Sequence, residues 1–318
     1  VAITPDPNSE DVKARPASPA NEGAKDDLPR AVLYMLATAA FIPLLNAAAK
    51  YLTPNYPVIE VVWARYAGHF IYMFLFFVPR LGTRLLVTSH PWMQLFRSAL
   101  LCISTVIFMS GLPYVPLTTA TAISFTGPFI VTALAPVILG ERVGTVRWMS
   151  VIVGFVGAII IVRPGAEGME PAALLFFASA FASALYQIMS RKIASFDRAE
   201  TSITYIAMVG FLLMSIPLPF IWVTPVSWWD ALVFISLGFF GGFGHFFLVR
   251  AYEIAPAPFV APFNYLNLIG AAILSVAVWG QFPDIFVWTG AGIIAACGLF
   301  MLYYENNQRK KAAKRLNQ

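Results

Sequence analysis

Apolar residues run almost unbroken from Ala31 to Tyr304, and short polar clusters divide them into ten stretches. These lie near 31–52, 57–79, 92–112, 117–139, 147–163, 171–191, 200–222, 230–252, 257–280 and 285–304. Each is close to the ~20 residues that carry a helix across a bilayer core. The pattern predicts an all-α integral membrane protein with ten transmembrane helices. Residues 1–30 are rich in Pro, Ala, Asp and Glu without an apolar period, which predicts a disordered tail and no signal-peptide core. Residues 305–318 form a short basic tail. The connections are too short for an aqueous domain, so function has to reside in the bundle.

Composition removes the alternatives. The AVILMFWYC residues make up 59% of the chain and charged residues 12%, against roughly 45–50% and 25% in a soluble domain. A formal net charge of +5 is confined to a few places and gives no basic field for a nucleic acid. Cys102 and Cys297 sit in apolar runs and read as small hydrophobes. His69, His90 and His245 form no metal-ligand spacing, and no GxSxG, Walker A or CxxC occurs. The chain is expected to be neither an enzyme nor a metalloprotein, and to need no cofactor.

Charge sets the orientation. Arg80 and Arg84, Arg142 and Arg147, Arg191, Lys192 and Arg198, Arg250, and the cluster from Arg309 to Arg315 fall on one set of connections; Lys50 and Arg163 are nearly all that the other set offers. The positive-inside rule makes the rich set cytoplasmic and places both termini there, in a bacterial inner membrane. Trp222, Trp228, Trp229, Trp279 and Trp288 then belong to the outer interface, and Trp92 and Trp148 to the inner one.

The segment from Val115, VPLTTATAISFTGPFIVTALAPVILGERVGTVRW, lies over APAPFVAPFNYLNLIGAAILSVAVWGQFPDIFVW from Ala255 at a shift of about 140 residues, bringing Gly140 onto Gly280 and Trp148 onto Trp288. Two five-helix repeats, 31–163 and 171–304, follow. An odd span number gives them opposite orientations, the inverted-repeat plan of secondary transporters. In this arrangement, and in the TGPFIVTALAPVILGERVGTVRWMSVIVGFVGAIIIVRPG run, the chain resembles the EamA family of the drug/metabolite transporter superfamily. Within it, Asn46, Lys50, Glu60 and Arg65, the TTATAISF run and the APFNYLNL run are most similar to the S-adenosylmethionine-type carriers. Ala47, Asn264 and Asn267 stand where those carriers have acidic or charged residues, which argues against a cationic sulfonium substrate.

Polar side chains at bilayer depth are candidate site residues because they are expensive there. Asn46 in the first span, Tyr186 and Gln187 in the sixth, and Asn264, Tyr265 and Asn267 in the ninth converge if inverted repeats place the substrate on their shared axis. Thr121, Ser124 and Phe125 are the fourth-span counterparts of the ninth-span set. Arg65 offers a carboxylate or phosphate a partner, or simply bonds neighbouring carbonyls. His245 among Gly241, Gly242 and Gly244 offers a ligand or a proton, or packs as a neutral ring. Lys50 and Glu60 face each other across the first hairpin and are expected to form a structural ion pair. The first, third, fourth, sixth, eighth and ninth spans are expected to enclose the cavity, with the fifth and tenth peripheral.

These features point to a secondary transporter that moves a small organic metabolite by alternating access. Neutral, zwitterionic or weakly anionic compounds fit best: amino-acid-, nucleoside- or vitamin-like. S-adenosylmethionine uptake or exchange is the alternative. A channel or membrane-embedded enzyme is the contrasting class, and the enzyme lacks a visible nucleophile, paired acids or a metal site. The partners are a small-molecule substrate and the lipid bilayer; monomer and homodimer are equally compatible. Reporter fusions after Gly165 and after Asn307 are expected to report outside and inside respectively, and the same side for both contradicts the topology.

Overall fold

The computed structural model describes residues 27–76, 79, 82–140, 143–163, 170–193, 196–197, 199–255 and 257–316. The N-terminal tail, 1–26, lies outside them. The described chain is helical, without strands: α1 (Leu28–Leu52), α2 (Val58–Phe76), α3 (Pro91–Gly111), α4 (Leu117–Ser124), α5 (Gly127–Leu139), α6 (Thr145–Val162), α7 (Ala173–Ile193), α8 (Ala199–Ser215), α9 (Trp228–Ile254), α10 (Leu266–Trp279) and α11 (Ile285–Leu316). Among the described residues, eight segments are long and apolar enough to cross a membrane. Of the ten expected spans, α2 and α8 fall outside that set. Glu60, Arg65 and His69 interrupt the apolar run of α2, and α8 has 17 residues.

Local sequence explains the helix ends. Asp27 accepts the Arg30 N–H and Ser227 accepts the Asp230 N–H, capping α1 and α9. Asp284 accepts the Val287 N–H and binds Arg163 across the α6–α11 ends. Gly140 and Gly280 end α5 and α10 in the left-handed region, at φ 68° and 63°, where an L side chain is strained. The basic tail proves to be a continuation of α11 to Leu316. Its Lys, Arg, Ala and Gln are good helix formers, and neither Gly nor Pro stops them.

Two expected spans are not single helices. The fourth breaks at Phe125 and Thr126, because Pro128 in the first turn of α5 has no N–H to extend the ladder of α4. The ninth enters through a tight 3-10 segment, Ala261–Tyr265, before α10. The breaks are 140 residues apart, the shift that also separates Gly140 from Gly280.

The packing scheme follows that shift. α1 packs on α9 as α7 packs on α3; α2 packs on α9 as α8 packs on α3; and α1 packs on α10 as α7 packs on α4 and α5. α2 meets α8, α4 meets α10 and α6 meets α11. Close approaches use glycine. A Cβ on Gly68 would lie 2.2 Å from the Gly238 Cα, and one on Gly290 would lie 2.4 Å from the Gly157 carbonyl oxygen. Tyr66, Phe129 and Phe176 fill the interior against Gly210, Gly154 and Gly111. Much of the outward surface is apolar: Val137 and Phe220 are among many large hydrophobic side chains left exposed. Water would penalise so much apolar area, and hydrocarbon does not.

Gly68→Val is expected to wedge α2 from α9 and to cost about 1–3 kcal/mol, as overpacking does. It should appear as a lower melting temperature in detergent, whereas Gly292→Ala, with open space around its Cβ, leaves the melt unchanged.

Candidate functional site

A cavity of about 220 Å³ lies between α1, α3, α4 and the ninth-span segment. Five of its lining residues are expected site residues: Asn46, Thr121, Ser124, Phe125 and Asn267. Ile42, Pro43 and Phe108 complete the walls. The broken fourth span matters here, since it ends α4 with Ser124 and Phe125 facing the space. Phe125 packs on Tyr265, with ring centroids 4.9 Å apart and planes at 33°. Tyr265 thus joins the group although it does not line the cavity.

The hydrogen-bonding inventory shows what the cavity offers. The Thr121 hydroxyl donates to the Leu117 carbonyl and the Ser124 hydroxyl to the Ala120 carbonyl, both at 2.8 Å, leaving each oxygen's lone pairs as acceptors. The Asn267 amide donates to the Asn264 carbonyl at 2.9 Å, while its buried Oδ1 has no partner among the described residues. The Asn46 side chain supplies two further N–H donors and an acceptor. No charged side chain lines the cavity.

Two small features support the site and escape a reading by polarity. Pro43 lies inside α1 and leaves the Ala39 carbonyl without its usual helical donor. A Cβ on Gly270 would lie 3.0 Å from that oxygen and 2.6 Å from the Pro43 ring, so only glycine lets α10 come this close. Gly298 of α11 has the same role for Tyr265, whose hydroxyl would be 1.6 Å from a Cβ there.

Other expected site residues gather elsewhere. Arg65 donates to Thr105 Oγ1 at 3.4 Å and to His245 Nε2 at 3.3 Å, and His245 stacks on His69 with centroids 6.1 Å apart. Because a guanidinium only donates, His245 accepts through Nε2. Neither Arg65 nor His245 lines the cavity. The Tyr186 ring lies 5.4 Å from the Arg97 guanidinium, within a network in which Arg97 bonds Ser190, Gln94 and the Ser202 carbonyl. Gln187 is exposed on α7, and the Asn264 amide donates to the Tyr252 hydroxyl at 3.1 Å. The expected enclosure by the sixth and eighth spans is therefore corrected: neither α7 nor α9 contributes to the lining.

The expected Lys50–Glu60 ion pair is not formed. Lys50 is 3% exposed and donates to the carbonyls of Leu112, at 3.2 Å, and Val115. It also sits 5.3 Å from the Trp279 ring. Unsatisfied carbonyls beyond the end of α3 present partial negative charge, which attracts the ammonium. Glu60 turns instead to the Val223 N–H at 3.1 Å.

The EamA-like transporter family model matches residues 29–163 and again 170–304. The chain belongs to the EamA-like transporter family. A protein of Rickettsia prowazekii (strain Madrid E) named as an S-adenosylmethionine uptake transporter is 33% identical over 261 residues, 82% of this chain and 88% of its own length. A riboflavin transporter of Rhizobium johnstonii is 30% identical over 284 residues, covering 88% and 93%. One crystal structure, 17% identical, superposes at a TM-score of 0.58 over 86% of this chain and 98% of its own, and so shares the fold. This EamA-family chain is thus a multi-pass membrane protein and a transporter of small metabolites.

Gly298→Ala is expected to push Tyr265 off Phe125 and to lower substrate affinity about tenfold or more, read by uptake in proteoliposomes. An unchanged half-saturation concentration contradicts the supporting role. Lys50→Met leaves two carbonyls without their charged donor and is expected to cost about 2 kcal/mol, read as a lower denaturation midpoint.

Proposed function

We propose that this chain is a secondary carrier in a bacterial inner membrane, with ten spans, both termini cytoplasmic and two inverted five-span halves. In this reading α2 and α8 are the second and seventh spans, and α4 with α5 and the 3-10 segment with α10 are the fourth and ninth. The reading is supported by a packing scheme that maps onto itself under the 140-residue shift and by the paired breaks. Inverted repeats place a substrate at discontinuous helices near mid-membrane, and the cavity lies beside the two breaks. Alternating access then exposes that cavity to one side at a time.

The substrate is a net neutral, zwitterionic or weakly anionic metabolite with a flat heteroaromatic part. The observation that carries this is the uncharged cavity with the Asn46 and Asn267 amides beside the Phe125–Tyr265 pair. An aromatic face accepts a flat ring, and amides read its polar edge. Riboflavin, named for one relative, has this chemistry without a charge. S-adenosylmethionine, named for another at 33% identity, supplies a purine ring but also a sulfonium cation, for which no lining carboxylate is present. It is kept as the second reading because of that relationship. Counterflow of each compound by reconstituted protein separates the two. Saturable riboflavin exchange that is lost in Asn267→Ala supports the first, and exchange of S-adenosylmethionine alone supports the second. Exchange of neither overturns both.

Exchange without proton coupling fits the engagement of His245 by Arg65. Imposing a pH gradient on proteoliposomes is expected to leave the final accumulation unchanged. Gradient-driven accumulation abolished by His245→Gln would show that this ring carries the proton.

A further inference from the structure

Away from the cavity, a second concavity of about 340 Å³ runs between α2 and α9. Its walls are almost wholly apolar, among them Trp63, Ile71, Trp222, Phe234 and Ile235. One acid also lines it. Glu60 is 1% exposed, and its Oε2 takes the Val223 N–H while its buried Oε1 has no partner among the described residues. A buried carboxylate oxygen without a donor is costly and rarely left so. The Trp63 and Trp222 rings stand edge to face, 6.0 Å apart, on the same concavity. Aromatic faces and a carboxylate together attract an ammonium group.

The shape limits what brings that ammonium. Ile71 and Ile235 are 57% and 69% exposed, so the groove opens sideways to the surroundings of the bundle. Along α2, Glu60 and Ile71 are eleven residues apart, about 16 Å at ~1.5 Å per residue. That is close to ~15 Å, half the hydrocarbon core. With α2 as the second span of the proposed topology, on which this inference rests, Glu60 in its first turn stands at headgroup level and Ile71 near the midplane. Polar head at the rim and hydrocarbon along one leaflet is the layout of a phospholipid.

We propose that this groove holds an aminophospholipid, with its primary ammonium donating to Glu60 Oε1 beside Trp63 and Trp222 and one acyl chain lying along Ile71 and Ile235. The site is separate from the transport cavity and makes the α2–α9 crossing at Gly68 and Gly238 lipid-dependent.

Native mass spectrometry of the full chain, released from detergent with equimolar phosphatidylethanolamine, phosphatidylcholine and phosphatidylglycerol, tests it. Wild type is expected to retain phosphatidylethanolamine at least fivefold over either other lipid. Glu60→Gln, which keeps an oxygen for the Val223 N–H, is expected to lose that preference. Ala231→Phe, which fills the groove and keeps the Glu60 carboxylate, is expected to lose it as well and guards against misfolding of the first variant. Equal retention of the three lipids by wild type, or an undiminished preference in both variants, overturns the proposal. Retention of tetraethylammonium with no lipid would assign a soluble cation, and a dimer lost in Ala231→Phe would assign a second copy; either outcome overturns it too.

Discussion

In hydrocarbon a backbone N–H or carbonyl has no water to turn to, so a helix can be broken only where protein or a cavity takes over its bonds. That constraint organises this bundle. The breaks at Phe125 and at Tyr265 are not scattered over the lipid surface but face each other across α4 and the ninth-span segment, ring on ring at 4.9 Å. Once two breaks have to be enclosed, the neighbouring helices must close over them. α1 does so with Pro43 and a bare Ala39 carbonyl against Gly270, and α11 with Gly298 against the Tyr265 hydroxyl. The cavity is what remains between the breaks and α1.

Charge is treated by the same economy. Lys50, Arg65 and Arg97 are each consumed by hydrogen bonds to carbonyls, hydroxyls, amide oxygens or a histidine, and none of the three enters an ion pair among the described residues. Such bonds spread a cation's field over local dipoles without requiring a second buried ion, whose desolvation would be a further penalty. They fix helix ends: Lys50 holds the exit of α3 to α1, and Arg97 joins α3 to α7 and α8. The cavity beside the two breaks is lined by no charged side chain, which suits a ligand recognised by ring face and amide edge.

Much of this was legible in the sequence. Hydropathy placed the membrane helices because lipid demands apolar length. The 140-residue shift located Gly140 and Gly280, because each ends a helix in a conformation that favours glycine. It also lays Phe125 over Tyr265, while polarity at depth drew attention to Asn46 and Asn267, which with Thr121 and Ser124 line one cavity. What stayed hidden depends on direction, which spacing does not encode. Lys50 and Glu60 share a hairpin yet turn to different neighbours, and Gln187 has the right depth but is exposed. Gly270, Gly298 and Pro43 carry no polar signal; their importance arises from what packs against them.

The most direct measurement of the central claim is a double-mutant cycle on ligand affinity at the facing breaks. Binding of labelled riboflavin and S-adenosylmethionine would be measured for wild type, Phe125→Ala, Tyr265→Ala and the pair. If the substrate's ring lies on this aromatic pair, each single variant weakens binding of the true substrate about tenfold or more. The double variant then falls short of the sum, with a coupling of about 0.5 kcal/mol or more. Unchanged affinity for both compounds in all three variants would place the substrate elsewhere in the bundle and contradict the account.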